Sequence, residues 1–199
     1  MTLYNVALFV HFIGVIVLFI AFGVGQRAGA RMRGVGSVEH ALLWLGLLKV
    51  TTPMFPTALL FLLGSGSYMA AEAWSFTTPW IISGIVAILL IGAVGTGVAI
   101  RGFGRMEAAL EAATTWTRDL ASVLNDTTTW TAIYAINGMS FAALWLMVVK
   151  PGWGQSVVLP TAFALIGGAL GYLSVRRGIG TGVGNEAATD ESYSTNPPS

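Results

Sequence analysis

Residues 3–24 read LYNVALFVHFIGVIVLFIAFGV, an apolar run without a single charged side chain. About 20 such residues in an α-helix cross the hydrocarbon core of a bilayer, so this stretch is long enough to span one. It reads as a span and not as a signal peptide. No Lys or Arg precedes it, and Gly25-Gln26-Arg27 follows where a small-residue cleavage site would stand. Four more apolar runs follow, over residues 41–63, 80–100, 130–149 and 157–175, the first of them with one charge, Lys49. Lipid offers the backbone no hydrogen-bond partner, so each must be helical. The expected fold is an all-α polytopic membrane protein with five transmembrane helices over residues 1–177.

The composition of the 199-residue chain agrees. Hydrophobic residues make up 55% and charged residues 10%, with a mean hydropathy of +0.74. A soluble domain carries about 25% charged residues. The shortage argues against a soluble enzyme, a disordered chain and a nucleic-acid binder, and it makes the lipid bilayer the expected partner. The net charge of +1 implies no strongly charged partner. The absence of cysteine removes disulfides and thiolate chemistry.

The few charges are unevenly placed. Arg27, Arg31, Arg33, Arg101, Arg105, Arg118, Arg176 and Arg177 all fall in the segments after the first, third and fifth spans. Lys150 alone lies in the alternate loops. Positive-inside reasoning then puts the N-terminus outside and the C-terminus inside, as five crossings require. Tyr4, Tyr68, Trp74, Trp80 and Trp153 fall near the expected outer interface, and Trp116 and Trp130 near the inner one. Such rings favour that depth because an apolar body carries a polar tip.

Pro53 and Pro56 interrupt the second run, and each removes a backbone donor. Residues 37–73 are expected to form one long helix kinked near 52–56, with two helices and a break as the alternative. Over residues 104–127, Met106, Leu110, Ala113, Thr117, Leu120 and Leu124 recur at spacings of four and three, while Glu107, Glu111 and Arg118 take other faces. This predicts a cytoplasmic amphipathic helix. Asn125 or Asp126 is placed to cap the helix that follows. Residues 178–199 are rich in Gly, Thr, Ser, Asn and Pro and are expected to be a disordered tail.

His11 lies within the first span, on a face with Tyr4, Ala7, Gly14, Leu18 and Gly25. Small residues on that face point to helix packing. An intramembrane imidazole is a functional candidate that can ligate haem iron or copper or relay protons, or else hydrogen-bond across a helix interface. His40 is expected near the inner surface, too far in depth to share one haem b with His11. A cofactor at His11 would need Met, Tyr or a partner chain as its second ligand. Lys49, beside Thr51 and Thr52 and just before the prolines, could form a polar intramembrane site with Thr52 and Asn137 of the fourth span. The alternative is that Lys49 snorkels to the inner interface. The seven methionines are scattered and read as gap fillers. Gly167 and Gly171 form a G-x-x-x-G, as do Gly25 and Gly29, a spacing that lets helices approach closely. No phosphate-binding glycine loop, His-Glu-x-x-His or Gly-x-Ser-x-Gly motif is present.

The opening Tyr4-Asn5-Val6-Ala7-Leu8-Phe9-Val10-His11-Phe12-Ile13-Gly14 resembles the start of a bacterial family of integral membrane proteins catalogued as domain of unknown function 2269. The resemblance continues through the arginines after the first span, Gly66-Ser67-Tyr68-Met69-Ala70 and Met147-Val148-Val149-Lys150-Pro151-Gly152. A more distant likeness, carried by His11 and Gly14, is to copper-resistance D-type proteins and the haem-containing membrane protoporphyrinogen oxidases. The resemblance implies a multi-pass protein of the bacterial cytoplasmic (inner) membrane. Three functions are expected from the whole: a non-enzymatic accessory subunit or homo-oligomer in a membrane complex, a haem- or copper-binding redox protein using His11, or a small-solute or proton-coupled transporter using Lys49, Thr52 and Asn137.

Overall fold

The computed structural model describes residues 2–194, with side chains through Arg177. Within it the helices are α1 (Leu3–Gly34), α2 (Val38–Thr51), α3 (Met54–Ala73), α4 (Pro79–Val94), α5 (Arg101–Ala112), α6 (Arg118–Leu124), α7 (Thr127–Val149) and α8 (Trp153–Ser194). A π-helical stretch, Gly95–Ile100, joins α4 to α5. Among the described residues there is no strand. Five helical segments are long and apolar enough to cross a membrane: Leu3–Gly34, Val38–Ala73, Pro79–Ala112, Arg118–Val149 and Trp153–Arg177. The chain is a multi-pass helical membrane protein. The disorder expected over 178–199 falls on residues whose side chains, and at the extreme end whose backbone, lie outside the described residues.

Local chemistry sets the boundaries. The Thr2 side chain accepts from the Asn5 amide and caps α1. Pro79 sits in the first turn of α4, where its missing N–H costs nothing. Asp126, one of the two expected caps, accepts from the Thr129 amide at 3.3 Å and opens α7. Lys150 ends α7 in the left-handed region at φ 53°, and Pro151 prevents the helix from resuming there. Between α2 and α3 the backbone of Thr52 and Pro53 keeps helical torsions, so the chain bends at the prolines without reversing.

The spans exceed the bilayer. Leu3–Gly34 has 32 residues and Pro79–Ala112 has 34, about 50 Å each at 1.5 Å per residue. The excess collects at the end bearing all eight arginines, called the basic end below. The amphipathic segment read over 104–127 divides there. Its first part continues the third span as α5, the chain turns at 113–117, and α6 begins at Arg118 under a Thr117 cap.

Two cores are stacked along the bundle. At the basic end Ala28, Met32, Met106, Leu110 and Leu124 are wholly buried, together with Trp130 at 1% exposure. The other core joins Leu18, Phe22, Ala58, Leu62, Ile88 and Ile136. Around it apolar side chains point outward, with Phe9 62% and Leu165 70% exposed. Lipid solvates such side chains.

Trp130 differs from its expected place at the inner interface. Its ring lies inside the basic-end core, against Gly29 and 5.8 Å edge-on from Phe103. The indole N–H donates to the Leu124 carbonyl at 2.8 Å, which satisfies the polar tip without water.

Candidate functional site

Three places carry the polar side chains singled out in the sequence. The first is a cleft of about 260 Å³ near the start of α1, lined by Tyr4, His11, Met69, Trp74, Trp80 and Met147 among others. Small residues let α1 and α3 close against each other here. A Cβ on Gly14 would lie 3.0 Å from that of Phe61, and one on Gly66 would lie 3.3 Å from His11 Cε1. His11 thus faces the bundle, as the small-residue face predicted. Its Nδ1 is 3.1 Å from Ser65 Oγ, and its Nε2 is 3.3 Å from Met147 Sδ. At the mouth Trp74 and Trp80 meet edge to face at 5.4 Å, and the Lys150 ammonium sits 4.6 Å from the Trp74 ring centroid.

The Ser65 hydroxyl donates to the Phe61 carbonyl. The Nδ1–H tautomer of His11 donates to Ser65 Oγ, and the Nε2–H tautomer donates to Met147 Sδ.

A haem b with His11 and Met147 as its two axial ligands does not fit this arrangement. Iron with axial nitrogen and sulfur ligands on opposite faces needs them about 4.3 Å apart, taking bonds of about 2.0 and 2.3 Å. The 3.3 Å between Nε2 and Sδ leaves no room for a macrocycle between them. The cleft, at about 260 Å³, also falls below the roughly 300–1,000 Å³ of sites for drug-sized ligands.

The second place is a central cavity of about 170 Å³ between α1, the α2–α3 bend, the π-helical stretch and α7. Its wall is largely apolar, with Gln26, Thr51, Thr52 and Thr96 as the polar exceptions. The three hydroxyls donate back to carbonyls of their own helices, Thr51 and Thr52 to Leu48 and Thr96 to Gly92. Gln26 Oε1 is buried and has no partner among the described residues.

The third place is the outer face of α2 at the basic end. Lys49 is not at the cavity. Its ammonium pairs with Glu107 and lies 3.8 Å from Glu111, one helical turn further along α5, with the lysine side chain 50% exposed. Asn137 lies on α7 with its Oδ1 buried and unpartnered among the described residues, and it does not line the cavity that Thr52 lines. The proposed trio of Lys49, Thr52 and Asn137 is therefore not brought together. His40 is exposed on α2, toward the end opposite His11.

Sequence reading missed Met147, Ser65, Gln26 and Thr96. Met147 lies 136 positions from His11, and only the packing of α7 against α1 reveals the pair. The partner requirement at His11 named methionine as one solution, yet nothing in the chain pointed to this one. Gln26 carried a usable signal, since an uncharged amide just ahead of the first arginines has no topological role. Compared with known protein families, with curated proteins and with solved structures, the chain finds no match.

Proposed function

We propose that the protein is a non-enzymatic accessory component of the bacterial cytoplasmic membrane. In this reading the N-terminus is outside, the C-terminus is inside, and the central cavity holds a small amphipathic molecule. The family it resembles through Tyr4–Gly14 and Met147–Gly152 is part of the same proposal. One observation carries the binding role. Apart from the Asn125-Asp126 junction at the basic end, the spans depart from a regular α-helix at the Thr52-Pro53 bend and over Gly95–Ile100, and both of these stretches contribute to the wall of the same cavity.

Broken backbone at membrane depth is tolerated where it lines a cavity or is buried in protein. π-Helical turns concentrate at functional sites. The mostly apolar wall with a few polar atoms is the ordinary lining of a small-molecule site. Its volume is close to the roughly 150 Å³ of cavities that accept benzene. The occupant is therefore a molecule of about that size with one hydrogen-bonding group, for which Gln26 Oε1 and the threonine hydroxyls are the available partners. A transport reading keeps Thr52 but loses its other two residues, so holding the molecule is favoured over moving it.

Gly95 supplies the test, because it lines the cavity and a Cβ there meets nothing within 4 Å. Wild type and Gly95→Leu are extracted into polymer nanodiscs without detergent, and co-purifying small molecules are measured by mass spectrometry. Wild type is expected to retain a compound that the filled variant loses. Identical contents in two equally folded samples would defeat the proposal.

A further inference from the structure

We propose that the cleft near the start of α1 binds one long-chain carboxylate, its head on the Lys150 ammonium and its hydrocarbon chain running down between α1, α3, α4 and α7. This site is separate from the central cavity and stands whether or not that cavity holds a molecule.

The first argument is the shape of the cleft. Its lining runs along α1 from Tyr4 to Val15 and along α3 from Trp74 back to Leu62. At 1.5 Å per residue these stretches are about 16–18 Å long. Half of a hydrocarbon core about 30 Å thick is about 15 Å, so the cleft is as deep as one leaflet. An extended hydrocarbon chain has that form. The volume of about 260 Å³, below that of sites for drug-sized ligands, suits one chain and not the two of a phospholipid. Gly84 of α4 leaves the space open, because it is buried, lines the cleft, and a Cβ there meets nothing within 4 Å. Leu8, Phe12 and Val148 line the same cleft and are also exposed, so a chain can enter from the surrounding lipid.

The second argument is where the polar groups lie. The rim, at the end opposite the arginines, carries Tyr4, Trp74, Trp80 and Lys150. Lys150 has no ion pair among the described residues, where Lys49 and Arg105 take the ones found. Glu72, two residues before Trp74, is exposed and outside the lining. Below the rim the side chains of the wall are apolar apart from Ser67 and His11. The His11 nitrogens already have Ser65 and Met147 beside them. One cation above an apolar slot is complementary to one anionic group on a hydrocarbon chain, and a carboxylate accepts a charge-assisted hydrogen bond from an ammonium.

The third argument is that the cation is held in place. Lys150 has φ 53°, a left-handed conformation that glycine adopts at less cost. Its amide donates to the Leu146 carbonyl at 2.9 Å and closes α7. Its ammonium lies 4.6 Å from the Trp74 ring centroid, and Trp80 packs edge-on against Trp74 at 5.4 Å. The charge is thereby kept at the rim of the cleft.

The experiment uses the purified full chain in a neutral detergent. Palmitate, hexadecanol as its uncharged analogue, and phosphatidylglycerol are added in turn, and bound ligand is counted by native mass spectrometry. One palmitate per chain is expected, held at least about fivefold more tightly than hexadecanol, the factor one lysine contributes against an anionic lipid surface. Lys150→Gly suits the same backbone conformation without the charge and should bind the two ligands alike, whereas Lys150→Arg should keep the preference. Gly84→Leu should lose both ligands by filling the cleft. The two Lys150 variants decide the matter even if Gly84→Leu fails to fold. Arg27→Gln, at the basic end, should behave as wild type does. The proposal is overturned if wild type binds no palmitate, or binds palmitate and hexadecanol equally. It is also overturned if Lys150→Gly keeps the preference, if Arg27→Gln loses it, if a folded Gly84→Leu binds as wild type does, or if phosphatidylglycerol is preferred to palmitate.

Discussion

Gly29 has no room for a methyl group. A Cβ there would strike the Trp130 ring, lying 2.6 Å from Cζ3 and nearer still to Cη2. Arg33, one turn on, stacks its guanidinium 4.2 Å from the centroid of the same ring and donates to the Gly29 carbonyl at 3.3 Å. One indole therefore fixes the end of α1 against the start of α7. Alanine ordinarily stabilises a helix relative to glycine by about 1 kcal/mol. Here overpacking should reverse the sign, and Gly29→Ala is expected to destabilise by about 1–3 kcal/mol. Adding Trp130→Phe, a smaller ring, should relieve part of that cost. A double-mutant cycle from calorimetric melts in detergent measures it, and strict additivity would mean that the two residues do not touch.

Among the elements, α7 and α8 make the closest pair. Gly138 faces the Phe163 carbonyl, Gly167 the Tyr134 carbonyl, and Gly171 the Trp130 carbonyl at 2.8 Å from an added Cβ. The Gly167–Gly171 motif is thus used within the chain. Gly168 is a built-in control, because its Cβ would lie at an ordinary 3.6 Å from Thr131 Cγ2. Gly167→Ala is expected to destabilise the α7–α8 hairpin by about 1–3 kcal/mol, whereas Gly168→Ala should be close to neutral. Unfolding in mixed micelles of increasing dodecyl sulfate fraction would compare them, and equal behaviour would contradict the packing described. On the other side of the bundle, α2 meets α5 through Lys49, Glu107 and Glu111. An ion pair this exposed contributes little to stability, so its value lies in the register of α2 on α5.

At the scale of the molecule, the arginines gather at the basic end, while Leu43 and Val50 of α2 stay exposed beside its core. Arg105 and Asp126, paired at 2.9 Å, tie α5 to the start of α7 at that end. The charge asymmetry predicts that this end faces the cytoplasm. The chain has no cysteine, so single cysteines report sidedness without background. Ser75→Cys, between α3 and α4, should react with an impermeant maleimide on intact cells. Thr115→Cys, in the turn between α5 and α6, should react only after permeabilisation. The reverse pattern would invert the topology.

The helical class and the number of spans were legible in the sequence because lipid imposes a length and hydrophobicity that each span must meet by itself. The Asp126 cap and the small-residue face of His11 were legible for the same reason, since both are properties of one helix. The partners were not. Whether Lys49 met Asn137 or the carboxylates of α5, whether Trp130 lay at an interface or in a core, and which methionine stood beside His11 all depend on how helices cross. Crossing is set by the sum of many weak contacts between residues far apart in the chain, and no local period records it. The sequence by itself determined that five helices cross a membrane and which residues each one carries. Only the tertiary structure decided which of those residues meet, because contact energies exist between helices and not within them.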